Sequence, residues 1–242
     1  MTLNPSKFDA APLSIVVLAL NAEATLPRVL SSLAAGAVSG LIREVILSDG
    51  GSRDRTCDIA LEAGARVISG GTGRGQQLGA GGEAARGRWL LFLHSDTFLG
   101  EGWCEQVRAF IDLQDEDSAA VFQLAFHRGD WRARLVSAGA NLRTRLFAAP
   151  YGDQGLLISK RLYNQIGGYR ALALFEDVDI IDRIIEVNGR GHLRVLEAKA
   201  MTDPVRYDRD GYAKRVIKNL ICLAMYRVGF GPERILKFYQ SF

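Results

Sequence analysis

The stretch WLLFLHSDT, residues 89–97, decides which fold class the chain can adopt. Residues 90–93 form an unbroken apolar run, which is typical of a strand covered on both faces. The run ends abruptly before Asp96, and a carboxylate at the end of a buried strand is costly unless it is paired or faces a ligand. In open α/β sheets, ligands sit at the carboxyl ends of the strands. We therefore interpret Asp96 as part of a ligand site, the alternative being a solvated polar loop.

The residues before this stretch alternate between strand and helix patterns. Three apolar runs read as strands and two segments with helical spacing separate them, with Gly36 and Gly40 expected to end the first helix. In chain order these are strand 13–20, helix 24–33, strand 44–47, helix 53–63 and strand 65–68. This alternation predicts βαβ units and therefore an α/β fold with a Rossmann-like, mostly parallel central sheet flanked by helices.

The glycine-rich segment 69–87 does not match a dinucleotide-binding motif, because that motif follows the first strand directly and opens a helix. It also lacks the lysine of a Walker motif. We expect a loop up to Gly75 and a helix of small residues over 76–85. Arg74 in this loop either pairs with a diphosphate, a geometry that suits a guanidinium group, or is solvated.

The second half continues the α/β pattern and adds an acidic cluster. Its expected elements are helix 102–113, strand 119–126, a basic helix 130–147, strand 156–159, a helical turn 160–166, helix 178–188 and strand 193–198. The basic helix is either a solvated surface or a contact for an anionic lipid or phosphorylated acceptor. The cluster EDVD, residues 176–179, opens helix 178–188, and the local positive field at a helix N-terminus stabilises acids. Three acids in four residues exceed what capping needs, and one can serve as a general base.

Composition limits the class of protein. Hydrophobic residues make up 48% and charged residues 24% of 242 residues, which suits a globular domain with a substantial core. The net charge of +3 gives no support for nucleic acid as a partner. Three dispersed cysteines support neither a disulfide framework nor a CxxC metal site. Residues 1–12 lack a signal-peptide pattern, and no apolar run approaches the roughly 20 residues of a membrane helix. We expect a cytoplasmic protein, either free or peripheral to the inner face of the membrane.

The chain is expected to divide into a domain over residues 1–210 and a basic, amphipathic helical tail over residues 211–242. The tail alternates basic residues such as Lys214 and Lys218 with apolar ones such as Val216 and Leu220. Such a tail packs on its own domain or on a second copy in a homodimer, or it attaches to an anionic membrane that carries a lipid-linked acceptor.

Five motifs in chain order resemble the inverting family 2 glycosyltransferases of the GT-A fold. They are SIVVLALNAEATL, VILSDGGSRDRT, WLLFLHSDT, GDQGLLISKRLYNQIGGY and FEDVDIIDRI, and together they cover roughly residues 13 to 190. The segment GRGQQLGAGGEAARGRWLLFLHSDT and the ending YRVGFGPERILKFY resemble a bacterial subgroup of small, soluble members. The resemblance implies a GT-A sheet and transfer of a sugar from a nucleotide-diphospho-sugar, most often a UDP-sugar, to an acceptor hydroxyl.

The resemblance also implies roles for the residues that match the family motifs. Asp177 matches the catalytic base. The residues implied to bind the nucleotide-sugar are Asn21, Glu23, Asp49, Arg74 and Asp96. Those implied to lie on the acceptor side are Asp153, Gln154 and Glu176.

Two departures from the family pattern affect these expectations. His94 stands where the first aspartate of the DxD motif is expected, which leaves Asp96 as the carboxylate for a divalent metal. Mg²⁺ often takes only one or two carboxylates plus substrate phosphates, and a coordinating imidazole would favour Mn²⁺. His94 therefore either ligates the metal or only packs and hydrogen-bonds. The Gln-x-x-Arg-Trp motif of processive relatives is absent near Val205, so polymer synthesis is not expected.

Two other functions compete with sugar transfer. A sugar-nucleotide nucleotidyltransferase shares the sheet and the metal, but it would carry a glycine-rich loop with a basic residue after the first strand, where this chain has LNAEATL. A non-catalytic binding member of the fold would be expected to lose Asp49, Asp96 and Asp177, and all three are present.

Overall fold

The computed structural model describes residues 11–113 and 116–241. Within them the strands and helices follow one another in the order β1 (Leu13–Ala19), α1 (Leu26–Val38), β2 (Ile42–Asp49), α2 (Thr56–Glu62), β3 (Arg66–Ser69), α3 (Arg74–Ala84), β4 (Trp89–His94), β5 (Thr97–Leu99), α4 (Trp103–Leu113), β6 (Ala119–Phe126), α5 (Trp131–Phe147), β7 (Leu156–Ser159), α6 (Lys160–Gln165), α7 (Glu176–Asn188), β8 (Leu193–Thr202), α8 (Val205–Asp210), α9 (Tyr212–Arg227) and α10 (Pro232–Ser241). Short 3₁₀ turns lie at Gly152–Gln154 and Arg190–His192. Residues 1–10, which make up most of the segment expected to lack a signal-peptide pattern, lie outside the described residues.

The strands form one eight-stranded sheet in the order β3-β2-β1-β4-β7-β6-β8-β5. Strands β1 to β4 run parallel, and so do β6 and β8, whereas β7 runs antiparallel to both of its neighbours and β5 runs antiparallel to β8. The expected mostly parallel α/β sheet is confirmed. Because Ala19 pairs with Asp49, and Leu18 pairs with His94, the carboxyl ends of β1, β2 and β4 meet at one edge.

The apolar runs of β1 and β4 are buried on both faces, as their composition predicts. Ile15 and Val17 pack on one side of the sheet with residues of α1 and α4, while Val16 and Leu18 pack on the other with residues of α3, α6 and α7. Successive side chains of a strand point to opposite faces, so one short run supplies two cores. The strand is thereby held rigidly, and the polar residues at its end are held with it.

Two boundaries differ from expectation for identifiable reasons. Gly36 does not end the first helix, which continues to Val38; a Cβ at this position would lie 2.7 Å from the Trp103 ring, so the glycine allows α1 to approach α4 closely. Helix α3 begins at Arg74 rather than after Gly75. Gly73, with φ +101°, supplies the left-handed turn before it. Arg74 therefore stands on the first turn of a helix instead of in a loop.

The tail forms α9 and α10 and packs on its own domain. Cys222 and Ile235 are buried against Phe175 and Val178 at the start of α7. Its basic residues are partly engaged in the same attachment, since Arg227 forms a two-pronged ion pair with Asp182 of α7 at 2.7 and 3.0 Å. Among the described residues, no helix has both the length and the apolar character needed to span a bilayer.

Candidate active site

Asp177 lies on the first turn of α7 and is oriented by backbone groups. Its Oδ2 accepts a hydrogen bond of 2.7 Å from the Gly152 N–H, and its Oδ1 accepts one of 2.8 Å from the Val178 N–H. Phe175, the residue before α7, has φ +66°, which is unusual for a side chain of this size and turns the chain sharply into the helix. Each carboxylate oxygen keeps further acceptor capacity, so Asp177 can still receive a proton.

His94 ends β4 and lies beside Asp177. Its Nδ1 is 3.3 Å from Oδ1 of Asp153, and its side chain is about nine-tenths buried. A Cβ on Gly152 would come within 2.8 Å of His94 Nε2 and 3.4 Å of Asp177 Oδ2, so the glycine allows the three residues to meet. Asp153 thus provides a partner for Nδ1 of His94 and favours a hydrogen-bonding role for this nitrogen, while metal ligation by His94 stays a prediction.

Arg74 and Glu176 form an ion pair next to Asp177. Arg74 Nη1 lies 3.9 Å from Glu176 Oε1, and only 2% of the Glu176 side chain is exposed. Burial, and next the negative charge of Asp177, raise the pKa of Glu176, while Arg74 opposes the shift. Burial alone would lower the pKa of Arg74, but the carboxylates of Glu176, Asp153, Asp177 and Asp96 outweigh it and raise that pKa. Arg74 is thus held as a cation among the acids of the site.

Glu176 has one oxygen that the described residues leave unsatisfied. Its Oε2 is buried without a hydrogen-bond partner among them, and such an atom is costly unless a ligand supplies a donor. The third acid of the cluster, Asp179, is used differently: it pairs with Arg170 at 3.0 Å and with Arg183 at 2.6 Å. The cluster therefore divides into a structural acid and two acids that face the site.

Asp96 is the predicted metal-binding residue, and the described residues around it supply only part of the ligands that a metal ion needs. It follows β4 and is half-buried, with its carboxylate close enough to Arg74 to affect that residue's pKa. The described residues contain no group of three or more His, Cys, Asp or Glu side chains suited to hold a metal ion. One carboxylate completed by phosphate oxygens and water is nevertheless a common arrangement for Mg²⁺-like ions. The residues present therefore fit a metal that arrives with a diphosphate.

The turns after β1 and β2 carry the predicted nucleotide residues and are bonded to each other. Asn21 accepts from the Arg53 N–H at 2.9 Å, and Glu23 accepts from the Arg55 N–H at 3.1 Å. Asp49 closes its own turn by accepting from the N–H groups of Gly51 and Ser52. These contacts give all three side chains a role in loop shape. They form a group separate from that of Arg74, His94, Asp153, Glu176 and Asp177, farther along the same sheet edge.

Gln77 is a site-building residue that sequence reasoning missed. It is buried in α3, and its Nε2 donates to the carbonyls of Ala19 at 2.7 Å and of Ser48 at 3.0 Å. Ser48 Oγ donates to the Gln77 carbonyl at 2.6 Å in return. Gln77 thereby ties α3, and Arg74 with it, to the carboxyl ends of β1 and β2. The sequence signal for it is weak, since it is one glutamine of the pair Gln76-Gln77.

Gln154 is buried, and both the oxygen and the nitrogen of its amide form hydrogen bonds. Its Oε1 accepts from Thr144 at 2.8 Å and its Nε2 donates to the Phe122 carbonyl at 2.9 Å. These bonds fix the 3₁₀ turn that presents Gly152 and Asp153. We therefore assign Gln154 to positioning, and its expected place on the acceptor side stays a prediction.

Comparison with known sequences gives a family match and distant relatives. The model of the glycosyl transferase family 2 matches residues 14–172. A PGL/p-HBAD biosynthesis glycosyltransferase of Mycobacterium tuberculosis is 35% identical over 173 residues, which are 66% of this chain and 64% of the relative. An uncharacterized glycosyltransferase of Rickettsia bellii is 24% identical over 180 residues, covering 73% of this chain and 57% of the relative. This chain thus spans less than two thirds of the length of these curated relatives.

Comparison with solved structures supports the fold. Glucosyl-3-phosphoglycerate synthase from Mycobacterium tuberculosis, solved with Mn²⁺, UDP and phosphoglyceric acid, aligns with a TM-score of 0.64 at 19% identity and covers 93% of this chain and 81% of that chain. The same enzyme with Mn²⁺, UDP-glucose and phosphoglyceric acid aligns with a TM-score of 0.62 at 20% identity, over 89% and 80% of the two chains. At this identity the likeness concerns the fold alone.

Proposed function

This chain belongs to glycosyl transferase family 2 and has the GT-A fold, and on that premise we propose that it transfers a sugar from a UDP-sugar to an acceptor hydroxyl with inversion at the anomeric carbon. The observation that carries the proposal is the convergence of a backbone-oriented carboxylate, Asp177, with the cation Arg74 and the carboxylate Asp96 at one sheet edge. A base, an electrostatic partner for a leaving diphosphate and a metal-binding carboxylate are what this reaction needs.

The proposed reaction is a direct displacement. The acceptor oxygen forms a bond to the anomeric carbon as its proton passes to Asp177. The bond between that carbon and the phosphate oxygen breaks, and the nucleoside diphosphate leaves with the electron pair. One catalytic carboxylate suffices, because the diphosphate leaves without needing a proton, in contrast to the two carboxylates of glycosidases.

Arg74 and Asp96 are assigned to the donor. The guanidinium of Arg74 would pair with phosphate oxygens as negative charge grows on them. A Mn²⁺ or Mg²⁺ ion held by Asp96, and by His94 if the imidazole turns toward it, would neutralise the same charge as a Lewis acid. We assign the bonded turns of Asn21, Glu23 and Asp49 to the nucleoside, since they stand at the adjacent strand ends.

Thermal shift with UDP and GDP, each with and without Mn²⁺, tests this proposal, because a ligand that binds the folded state alone raises the melting temperature. We expect stabilisation by UDP that Mn²⁺ deepens, with the Mn²⁺ effect lost in Asp96→Ala and kept in Asp112→Ala, an exposed acid on α4. No shift with either nucleotide would favour the non-catalytic alternative. UTP consumption with a sugar phosphate in place of sugar transfer would favour the nucleotidyltransferase.

Contact with a membrane and formation of a homodimer are further proposals. Helix α5 supports the first, since it exposes Trp131, Leu135 and Phe147 beside the exposed Arg134 and Arg145, a composition typical of interfacial helices. Salt-sensitive pelleting with anionic vesicles tests the contact, and absence of pelleting at low salt would contradict it. The molar mass of the protein in solution, from light scattering, tests the dimer.

A further inference from the structure

A large cavity lies between α5 and α9. It has a volume of about 920 Å³, which is at the upper end of ligand pockets in proteins. Asp96 and Asp153 line it, so it adjoins the group of acids that surrounds the proposed base. It is thus placed to bring a second substrate to that base.

The walls of this cavity are largely apolar. Trp131 and Leu135 of α5 and Ile217 and Leu220 of α9 line it, and between 52% and 65% of each of these side chains is exposed. Apolar side chains at this exposure, gathered from two helices around one space, are typical of a ligand-binding groove. An apolar ligand body between the helices would remove this surface from water, which is favourable.

Two polar atoms on residues of the same cavity have no partner among the described residues. They are Nη2 of Arg143 and the hydroxyl of Tyr151, and both are buried. The two side chains stack, with the guanidinium carbon 3.7 Å from the ring centroid, and Arg143 Nε is held by the Ala149 carbonyl at 2.8 Å. The two side chains are therefore fixed in place at the cavity, and an oxygen-bearing ligand group that reaches their buried donors would satisfy them.

From these observations, and resting on the proposed function, we infer that the α5–α9 cavity is the acceptor site and that the acceptor is an amphiphile. Its apolar body lies between the two helices, and its hydroxyl-bearing head lies at Tyr151, Arg143 and Asp153. A fully polar acceptor such as a free sugar would leave the exposed side chains of both helices in water. It would gain nothing from the apolar walls.

The position of Trp131 provides a direct readout. The chain contains three tryptophans; Trp89 and Trp103 are buried at 1% and 3% exposure, whereas Trp131 is 63% exposed and lines the cavity. An amphiphile that enters the cavity should shift Trp131 emission to shorter wavelength. The probe is n-octyl β-D-glucoside below its micelle-forming concentration, and the polar control is methyl β-D-glucoside.

We expect a saturable shift with the octyl glucoside and none with the methyl glucoside, and we expect Trp131→Phe to remove the signal. Gly139→Phe should weaken octyl glucoside binding about tenfold or more, because this residue lines the cavity and a Cβ there meets no atom within 4 Å. The neighbouring Ala138→Phe, which does not line this cavity, should leave binding within about twofold. Leu220→Phe fills the cavity from the opposite helix without adding a tryptophan and serves as the second variant.

Equal responses to both glucosides, or unchanged octyl glucoside binding in both cavity-filling variants, would overturn the inference. Thermal shift with UDP and Mn²⁺ on the same proteins separates this result from a failure of the proposed function. If UDP and Mn²⁺ stabilise every variant while octyl glucoside fails to bind, the acceptor inference falls and the donor site stands. If octyl glucoside binds but UDP does not, the proposed transferase function falls instead.

Discussion

The Gly152 N–H donates a hydrogen bond of 2.7 Å to Oδ2 of Asp177 across 25 positions of the chain. This bond joins the 3₁₀ turn before β7 to the first turn of α7. It fixes the carboxylate by a backbone N–H that every residue type except proline supplies. The relationship gives the proposed base a defined direction, and the following predictions depend on it.

Asp177→Asn should retain the Gly152 bond, because the amide oxygen also accepts, but it removes the proton acceptor. We expect turnover to fall by about 10²-fold to 10⁴-fold, the usual size of a general-base contribution. Donor stabilisation by UDP and Mn²⁺ should change little. The measurement is the rate of UDP release from the UDP-sugar that gives the largest thermal shift. Glu186→Gln, an exposed acid on the same helix, is the matched control, and a normal rate in Asp177→Asn would refute the assignment.

Gly152→Ala should disturb the base without changing its chemistry. The new methyl group would lie 2.8 Å from His94 Nε2, so either His94 or the turn must move. We expect turnover to fall by about tenfold or more, because small misplacements of catalytic groups are costly. Gly191→Ala is the control, since a Cβ there meets no atom within 4 Å. Equal rates in the two variants would show that the contact of Gly152 with His94 does not position the site.

Glu176 should make stability depend on pH. Burial, followed by the charge of Asp177, raises its pKa in the folded protein, while in the unfolded chain the value is about 4.3. The folded state then holds the proton more tightly. The stability that protonated Glu176 contributes is fully present below about pH 4.3, and it is lost as the pH rises through the pKa of Glu176 in the folded protein. The Gln side chain of Glu176→Gln cannot ionise. The melting temperature of this variant, relative to that of the parent, should therefore increase as the pH rises from about 4 to 7.

The control for this pH dependence is Glu186→Gln, which lies on the exposed side of α7. Its melting temperature should follow that of the parent at every pH. A constant difference between Glu176→Gln and the parent across the same range would contradict the raised pKa.

Tyr226 of α9, in the tail, should help to position Asp177, the proposed base. Its ring lies 4.8 Å from that of Phe175, the residue with φ +66° that precedes Glu176 and Asp177. Tyr226→Ala should lower the free energy of unfolding by about 1–3 kcal/mol. It should also lower kcat more than it changes donor stabilisation. Val228→Ala, at an exposed position of the tail, is the control. Unchanged kcat in Tyr226→Ala at a temperature where it stays folded would limit the tail to a structural role.

Much of the fold could be predicted because the signal is local. The uninterrupted apolar runs of β1 and β4 can be buried only inside a sheet covered on both faces, and the spacing between strands leaves room for helices. The boundaries of β6 and β7 agree with the predicted ones. The helix that continues through Gly36 was mispredicted because a contact with Trp103, 67 residues away, outweighs the local preference of glycine.

For the candidate site, the sequence by itself determined which chemical groups stand at the ends of which elements: Asp49 at the end of β2, Asp96 after β4, and Glu176 with Asp177 at the start of α7. Only the tertiary structure decided which of them meet. It brings Arg74 to Glu176 and places His94 beside Asp153 and Gly152. It also pairs Asp179 with two arginines and forms a cavity between α5 and α9. The reason is physical. Local pattern fixes the face or end of an element on which a residue stands, whereas these contacts depend on the packing of elements that are distant in the chain.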